Sequence, residues 1–275
     1  MDRGHTSLVK TPDPNLDTYY RDHWVEVEPE RMERYEAMFQ WRDGQEPLIA
    51  PARIDEGHTV VDYGCGPGGL AMELARRAGS SGKVIGLDIN PEFLQRTSVR
   101  AQSEGLADRI EGILIDDDRI PLPEQAADRV LCKNVLEYVP DPQASISEFF
   151  RILKPGGIAH VSDSDWGAVV FEPAGERFAR IMAAASVAFR TPLIGRRLYG
   201  MFRHAGFREI RVQVLASVDT TGALSGVLRN MATYARTSGQ LPDAEIDAFV
   251  NDVDRALEDE TYLALLPQFL VTGNR

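Results

Sequence analysis

The stretch Val60-Val61-Asp62-Tyr63-Gly64-Cys65-Gly66-Pro67-Gly68-Gly69 runs an apolar strand straight into a glycine turn and on into a helix. Glycines 64, 66 and 68 lack the Cβ atoms that block a close backbone approach, and they tolerate positive φ where the turn is tight. The helix that follows aims its unpaired N–H groups and the positive end of its dipole at whatever lies over the turn. This combination suits a nucleoside-bearing ligand. Gly64, Gly66 and Gly69 also satisfy the G-x-G-x-x-G fingerprint, so the glycines alone leave a nicotinamide cofactor and other adenosine ligands open. The flanking acids separate them. Asp62, two residues before the first glycine, crowds a pyrophosphate but pairs with a cationic ammonium. Asp88 closes the next apolar run, Lys83-Val84-Ile85-Gly86-Leu87-Asp88, at about the offset where an acid accepts from ribose hydroxyls.

Outward from this turn, β-rich runs alternate with helical segments, the pattern of a parallel sheet wrapped by crossovers. Strands are predicted over 58–63, 83–88, 110–115, 128–133 and 157–163, with helices near 68–78, 91–104 and 143–153. Asn90-Pro91 reads as cap and first turn of the second helix. Lys154-Pro155-Gly156-Gly157 stops the third. Two late strands, 208–217 and 262–272, complete a Rossmann-like, seven-stranded, mostly parallel α/β sheet whose last strand inserts antiparallel. Residues 1–45, with Tyr19, Tyr20, Trp24, Tyr35, Met38, Phe39 and Trp41 among charges, read as one or two amphipathic helices serving as a lid or subunit contact. Residues 46–275 then form the catalytic domain, with helical inserts at about 165–206 and 220–258. These inserts lie near the carboxyl edge of the sheet, where open α/β folds bind ligands.

Bulk composition narrows the classes. The 275 residues carry a formal net charge of −12, and the sequence shows no basic stripe, which argues against a nucleic-acid partner. No apolar run approaches the roughly 20 residues of a membrane-spanning helix, and Met1 to Asn15 lack a secretory apolar core, so the reading is cytoplasmic. Cys65 and Cys132, the two cysteines, have no metal-ligand neighbours and read as reduced thiols. No metal site is expected.

The assembled stretch from about 58 to 163 resembles the class I S-adenosylmethionine-dependent methyltransferases, and within them the small-molecule group that includes the ubiquinone and menaquinone C-methyltransferases. The resemblance implies S-adenosylmethionine as donor and S-adenosylhomocysteine as product. It implies that Gly64, Gly66 and Gly68 pack against the methionine part, that Asp62 lies near its amino group, and that Asp88 holds the ribose while Ile89 touches adenine. Asp116 takes the place of the acid facing the adenine amino group, and Asp117 supplies a neighbouring amide. Lys133-Asn134-Val135-Leu136-Glu137-Tyr138-Val139-Pro140-Asp141 resembles the segment beneath the methionine, with Asn134 as a contact. Glu137-Tyr138 departs from the histidine pair common there. A fainter likeness, in length and aromatic amino end, is to actinobacterial natural-product methyltransferases such as the teleocidin-pathway enzyme. That likeness implies a prenyl, terpenoid or indole-alkaloid acceptor and a cyclisation coupled to transfer.

A sulfonium methyl is already activated, so transfer is an in-line displacement in which positioning supplies roughly 7 to 11 kcal/mol. An oxygen or nitrogen acceptor also calls for a base, whereas an alkene leaves a carbocation that aromatic faces stabilise. Tyr19, Tyr20, Trp166, Phe171 and Tyr199 are the aromatic candidates, Tyr20 and His160 the catalytic ones. His160 lies inside a strand, where a core histidine is also expected, while His23 and His204 read as solvated bases. The amino-end aromatics are equally suited to packing, and the acids at 116–118 to a solvated turn. A nicotinamide oxidoreductase is disfavoured by the lack of a Tyr-x-x-x-Lys pair, and a catalytically silent protein by retention of the acids. The reading is a small-molecule methyltransferase acting as a homo-oligomer, with carbon favoured over oxygen or nitrogen as the methylated atom.

Overall fold

The computed structural model describes residues 15–25, 27, 29–116, 119–172 and 175–275. Its helices are α1 (Tyr19–Val25), α2 (Pro29–Met38), α3 (Gly69–Ala78), α4 (Pro91–Ser103), α5 (Pro142–Ile152), α6 (Gly175–Ala185), α7 (Ile194–Ala205), α8 (Ser225–Ser238) and α9 (Asp243–Glu258). The strands are β1 (Thr59–Tyr63), β2 (Lys83–Asp88), β3 (Ile110–Leu114), β4 (Ala127–Lys133), β5 (Leu153–Ser164), β6 (Val170–Glu172), β7 (Arg208–Leu215), β8 (Leu263–Leu265) and β9 (Gln268–Asn274).

Seven strands form one sheet in the order β3-β2-β1-β4-β5-β9-β7. Neighbours pair in parallel except at β9, which runs antiparallel to both β5 and β7. The fold is therefore the Rossmann-like, mostly parallel sheet expected, with the final strand reversed. The expected strand over 262–272 is two strands. Pro267, which has no N–H to donate to a ladder, separates β8 from β9, and β8 pairs with β6 in a small second sheet.

Strand order reverses between β1 and β4, and a crevice opens there beyond their carboxyl ends. Alternation along the strands sorts the two faces. Val61, Tyr63, Val130 and Cys132 pack with α5 and α7 in one core, while Val60, Val84 and Leu131 pack with α3 in another. Asp62, Asp88 and Lys133 share the α3 face by the same period. The helices α6, α8 and α9 build a separate apolar layer around Phe171, Ile181, Leu228 and Phe249. The stretch 165–206 thus divides, since α6 joins this layer whereas α7 buries Ile194, Leu198 and Phe202 on the main sheet.

Asn90 ties the amino-terminal helices to the sheet. Its Oδ1 accepts from the N–H groups of Glu92 at 2.8 Å and Phe93 at 3.3 Å, capping α4 as the Asn90-Pro91 pair predicts, while its Nδ2 donates to the Trp24 carbonyl at 2.8 Å. Phe39, just past α2, sits so close to Gly69 that a Cβ there would meet the Phe39 carbonyl oxygen at 2.0 Å. Only glycine permits that seating. Asn90→Ala removes a cap and a buried hydrogen bond, each worth about 1 kcal/mol. Urea unfolding should show a loss of about 2 kcal/mol, against less than about 0.5 kcal/mol for Val99→Ala on the exposed side of α4; equal losses would contradict the tether.

Candidate functional site

The crevice deepens into a cavity of about 330 Å3. Its floor is Asp62, Tyr63, Gly64, Cys65 and Gly66 from the end of β1 and Lys133, Asn134 and Val135 from the end of β4. Asp88, Ile89 and Asp116 line it on the β2–β3 side, and Trp24, Phe39 and Trp41 roof it.

Gly64 and Gly66 hold φ values of +77° and +53°, and Gly68 holds +83° as the residue before α3. A Cβ on Gly64 would stand 2.3 Å from Val135, so that glycine lets the β1 turn touch the β4 turn. A Cβ on Gly66 would meet only the Phe39 ring, at 3.9 Å, and Gly66 opens onto the cavity, whereas Gly68 packs on Thr97 and does not line it. Gly68 therefore shapes the turn rather than contacting a ligand.

Asp88 is held from behind. Its Oδ2 accepts from Gly66 N–H at 2.8 Å and its Oδ1 from Asn90 N–H at 2.9 Å. A carboxylate oxygen has a second lone pair, so Asp88 keeps acceptor capacity toward the cavity it lines. Burial pushes its pKa up to about 6, against the backbone donors that pull it down. Asp62 is 1% exposed, and its Oδ2 has no partner among the described residues. Burial, then the nearby Asp88 charge, raise its pKa to about 7, and Lys133 opposes them. A buried acceptor left unpaired costs about 1–3 kcal/mol, and more when charged. A cationic ligand group would relieve that cost.

The β4 turn is held by Asp163 at the end of β5. Its Oδ2 accepts from the N–H groups of Val135 at 3.3 Å and Leu136 at 2.9 Å. This fixes Asn134 at φ +54°, with its N–H bonded to the Ser162 carbonyl and its Oδ1 unpartnered among the described residues. The floor is braced by these hydrogen bonds and short of partners where a nucleoside with an amino-acid tail would supply them. At the far end, Arg21 of α1 donates to the Asp116 carbonyl at 2.6 Å, closing the roof over that acid. Asp117 lies outside the described residues.

A family model described as a methyltransferase domain matches residues 54–206, more than half of the chain. The chain belongs to the class I S-adenosylmethionine-dependent methyltransferases. Among curated relatives, a sterol 24-C-methyltransferase of Pneumocystis carinii is 35% identical over 39% of this chain and 28% of its own length. A ubiquinone/menaquinone biosynthesis C-methyltransferase of Xanthomonas campestris is 30% identical over 46% of this chain and 51% of its own. The chain spans between 27% and 63% of the length of the curated relatives it matches. A solved Haemonchus contortus phosphoethanolamine N-methyltransferase 2, holding S-adenosylhomocysteine, superposes at TM-score 0.64 with 16% identity over 95% of this chain and 60% of that one. The methyltransferase cofactor, S-adenosylmethionine, fits the groups present here: an unpaired acid for its ammonium, a backed carboxylate for its ribose and cavity-lining turn backbone at Gly64 and Gly66.

The expected acceptor residues of this methyltransferase lie elsewhere. Tyr19 and Phe171 are buried in the helical layer, the Trp166 indole donates to Glu137, Tyr20 lies under the Arg190 guanidinium, and Tyr199 is 51% exposed on α7. None of them lines the cavity. His160 is a core residue, bonded to Thr272 Oγ1 at 2.9 Å and the Leu48 carbonyl at 2.7 Å, with its pKa pushed down to about 4 by burial. His204 is exposed as expected, but His23 is buried, donates from Nδ1 to the Tyr19 carbonyl and leaves Nε2 unpartnered among the described residues. Trp24, Phe39, Trp41, Tyr138 and Lys133 are among the cavity residues that sequence reasoning did not assign. A tryptophan at the end of a short amphipathic helix was the available signal for the first.

The raised pKa of Asp62 sets a pH dependence. Below about pH 7 the empty site holds a proton that an incoming ammonium must displace, so affinity for S-adenosylhomocysteine should rise between about pH 6 and 8, by at most about tenfold per unit. Calorimetry at several pH values checks this. Asp62→Asn should weaken binding and flatten the profile; a flat or falling profile in the unaltered protein would contradict the assignment. The same shift makes the ligand-free fold lose stability as pH rises from about 4 toward 7, since the folded state holds protons the unfolded chain has released.

Proposed function

We propose that the chain transfers the methyl group of S-adenosylmethionine to a carbon atom of an apolar small molecule of prenyl, terpenoid or indole-alkaloid type. The observation that carries this reading is the wall of the cavity. Trp24, Phe39, Trp41 and Tyr138 surround the space above the glycine turn, and no histidine lines it among the described residues. Trp24 and Tyr138 meet edge to face with centroids 4.9 Å apart. The bound cofactor supplies an activated methyl, and the chain's own task is to orient an alkene or ring carbon, exclude water and offer aromatic faces to the resulting cation. The Cys65 thiol, pushed well up by burial, stays protonated and inert in that space. Two relatives whose names specify C-methylation support carbon as the target.

Methylation of oxygen or nitrogen is the second reading, favoured by one observation. His23 presents an unpartnered Nε2 immediately behind Trp24, ring centroids 5.1 Å apart. Its pKa, pushed down to about 4 chiefly by burial, makes it a hydrogen-bond acceptor and a weak base.

The test is incubation with S-adenosylmethionine and a panel of prenylated, terpenoid and indole acceptors, read by intact mass for the gain of one methyl and by NMR for the atom carrying it. A new carbon–methyl bond is the expected outcome, and a rearranged skeleton would add cyclisation to the reaction. A methyl found on oxygen or nitrogen would select the second reading. Trp24→Ala should lower turnover by about thirtyfold, the scale of one desolvated cation–π contact, while changing S-adenosylhomocysteine affinity far less.

A further inference from the structure

Among the described residues, two cationic ones line the cavity, Arg21 and Lys133. Arg21 is engaged with the Asp116 carbonyl beyond β3. Lys133 ends β4, three strand positions away across β2 and β1, or about 14 Å at ordinary strand spacing. The two charges therefore mark opposite ends of the crevice.

At the Lys133 end, the neighbouring residue on the same sheet face is Asp62. Leu131 pairs with Asp62 in the β1–β4 register, which sets Lys133 two residues further along toward the crevice. Lys133 feels the charges of Asp62 and Asp163 but makes no hydrogen bond to a described residue, and Asp62 Oδ2 is likewise unpartnered. A half-buried cation and a buried anion that both line the cavity without bonding each other leave a slot of paired, opposite vacancies. Its complement is a zwitterion, with a positive group on the Asp62 side and a negative one on the Lys133 side. Val135 and Tyr138, on the same turn, leave no further cation there to take the negative group.

We propose that Lys133 binds the α-carboxylate of the methyl donor while Asp62 binds its α-ammonium, so that the protein selects nucleosides with an intact amino-acid end. This rests on the methyltransferase reading above. It assigns Lys133 a role that the ribose acid cannot perform, since the ribose belongs to the part of the donor that a decarboxylated analogue retains. A lysine that only offset the charges of Asp62 and Asp163 would hold the turn in shape for either nucleoside alike.

The test pairs two ligands with two proteins. S-adenosylhomocysteine and its decarboxylated counterpart, S-adenosyl-3-thiopropylamine, are titrated into the unaltered chain and into Lys133→Met by calorimetry. Loss of the carboxylate should cost the unaltered chain at least about tenfold in affinity, the scale of one charge-assisted hydrogen bond, and K133M no more than about twofold. Lys133→Arg should retain the discrimination. Equal weakening of both ligands in K133M would overturn the proposal and make Lys133 a structural counter-charge. Equal affinity of the unaltered chain for the two nucleosides would overturn it without any variant, so the outcome does not depend on K133M folding. Failure of the unaltered chain to bind either nucleoside would instead remove the methyltransferase reading on which the proposal stands.

Discussion

The structure depends on keeping two carboxylates, Asp62 and Asp88, buried at the carboxyl ends of adjacent parallel strands. Like charges in a low dielectric repel, and each pays a desolvation penalty. The fold answers this unequally. Asp88 receives two backbone N–H donors from the turns on either side of it, whereas Asp62 is left with an open oxygen and only the field of Lys133. One acid is thereby fixed as part of the scaffold that shapes the glycine turn, and the other is left as an unmet electrostatic demand facing the cavity. An adenosyl sulfonium with an ammonium tail would meet both at once.

The same region carries the roof. Asn90 caps α4 with one side-chain atom and holds the Trp24 carbonyl with another, and Gly69 gives Phe39 its seat. The residues that form the donor floor and those that place the aromatic roof are therefore neighbours in sequence or direct partners in space. A stack of rings continues outward from Trp24 through Tyr35, Tyr138, His23 and Tyr234 into the helical layer. This ties α1 to α8, so the roof is packed on both of its sides.

Local signals explain what could be read from sequence. The glycine turn, Asp62, Asp88 and the Asn90-Pro91 cap act within a few residues of themselves, and each lies where its spacing predicts. The antiparallel insertion of the last strand was also legible, though Pro267 divides it. The acceptor wall was not. Tyr19, Trp166 and Phe171 are aromatic for reasons of packing in a layer that only tertiary structure creates, and aromatic residues in a core and in a pocket look alike in sequence. Trp24 and Lys133 reach the cavity because α1 folds back over the sheet and because β4 ends one residue later than β1 in their register, contacts that span 66 to 95 positions of chain. His23, expected to be solvated, instead has four aromatic rings as its neighbours in space.

The central claim is that these acids and the glycine turn grip a single adenosyl sulfonium donor. A crystal structure grown with S-adenosylhomocysteine tests it most directly. The account predicts density for the nucleoside across Gly64–Gly66, with the ribose hydroxyls on Asp88 and the amino group on Asp62. An empty crevice at saturating ligand, or the nucleoside bound away from both acids, would contradict it.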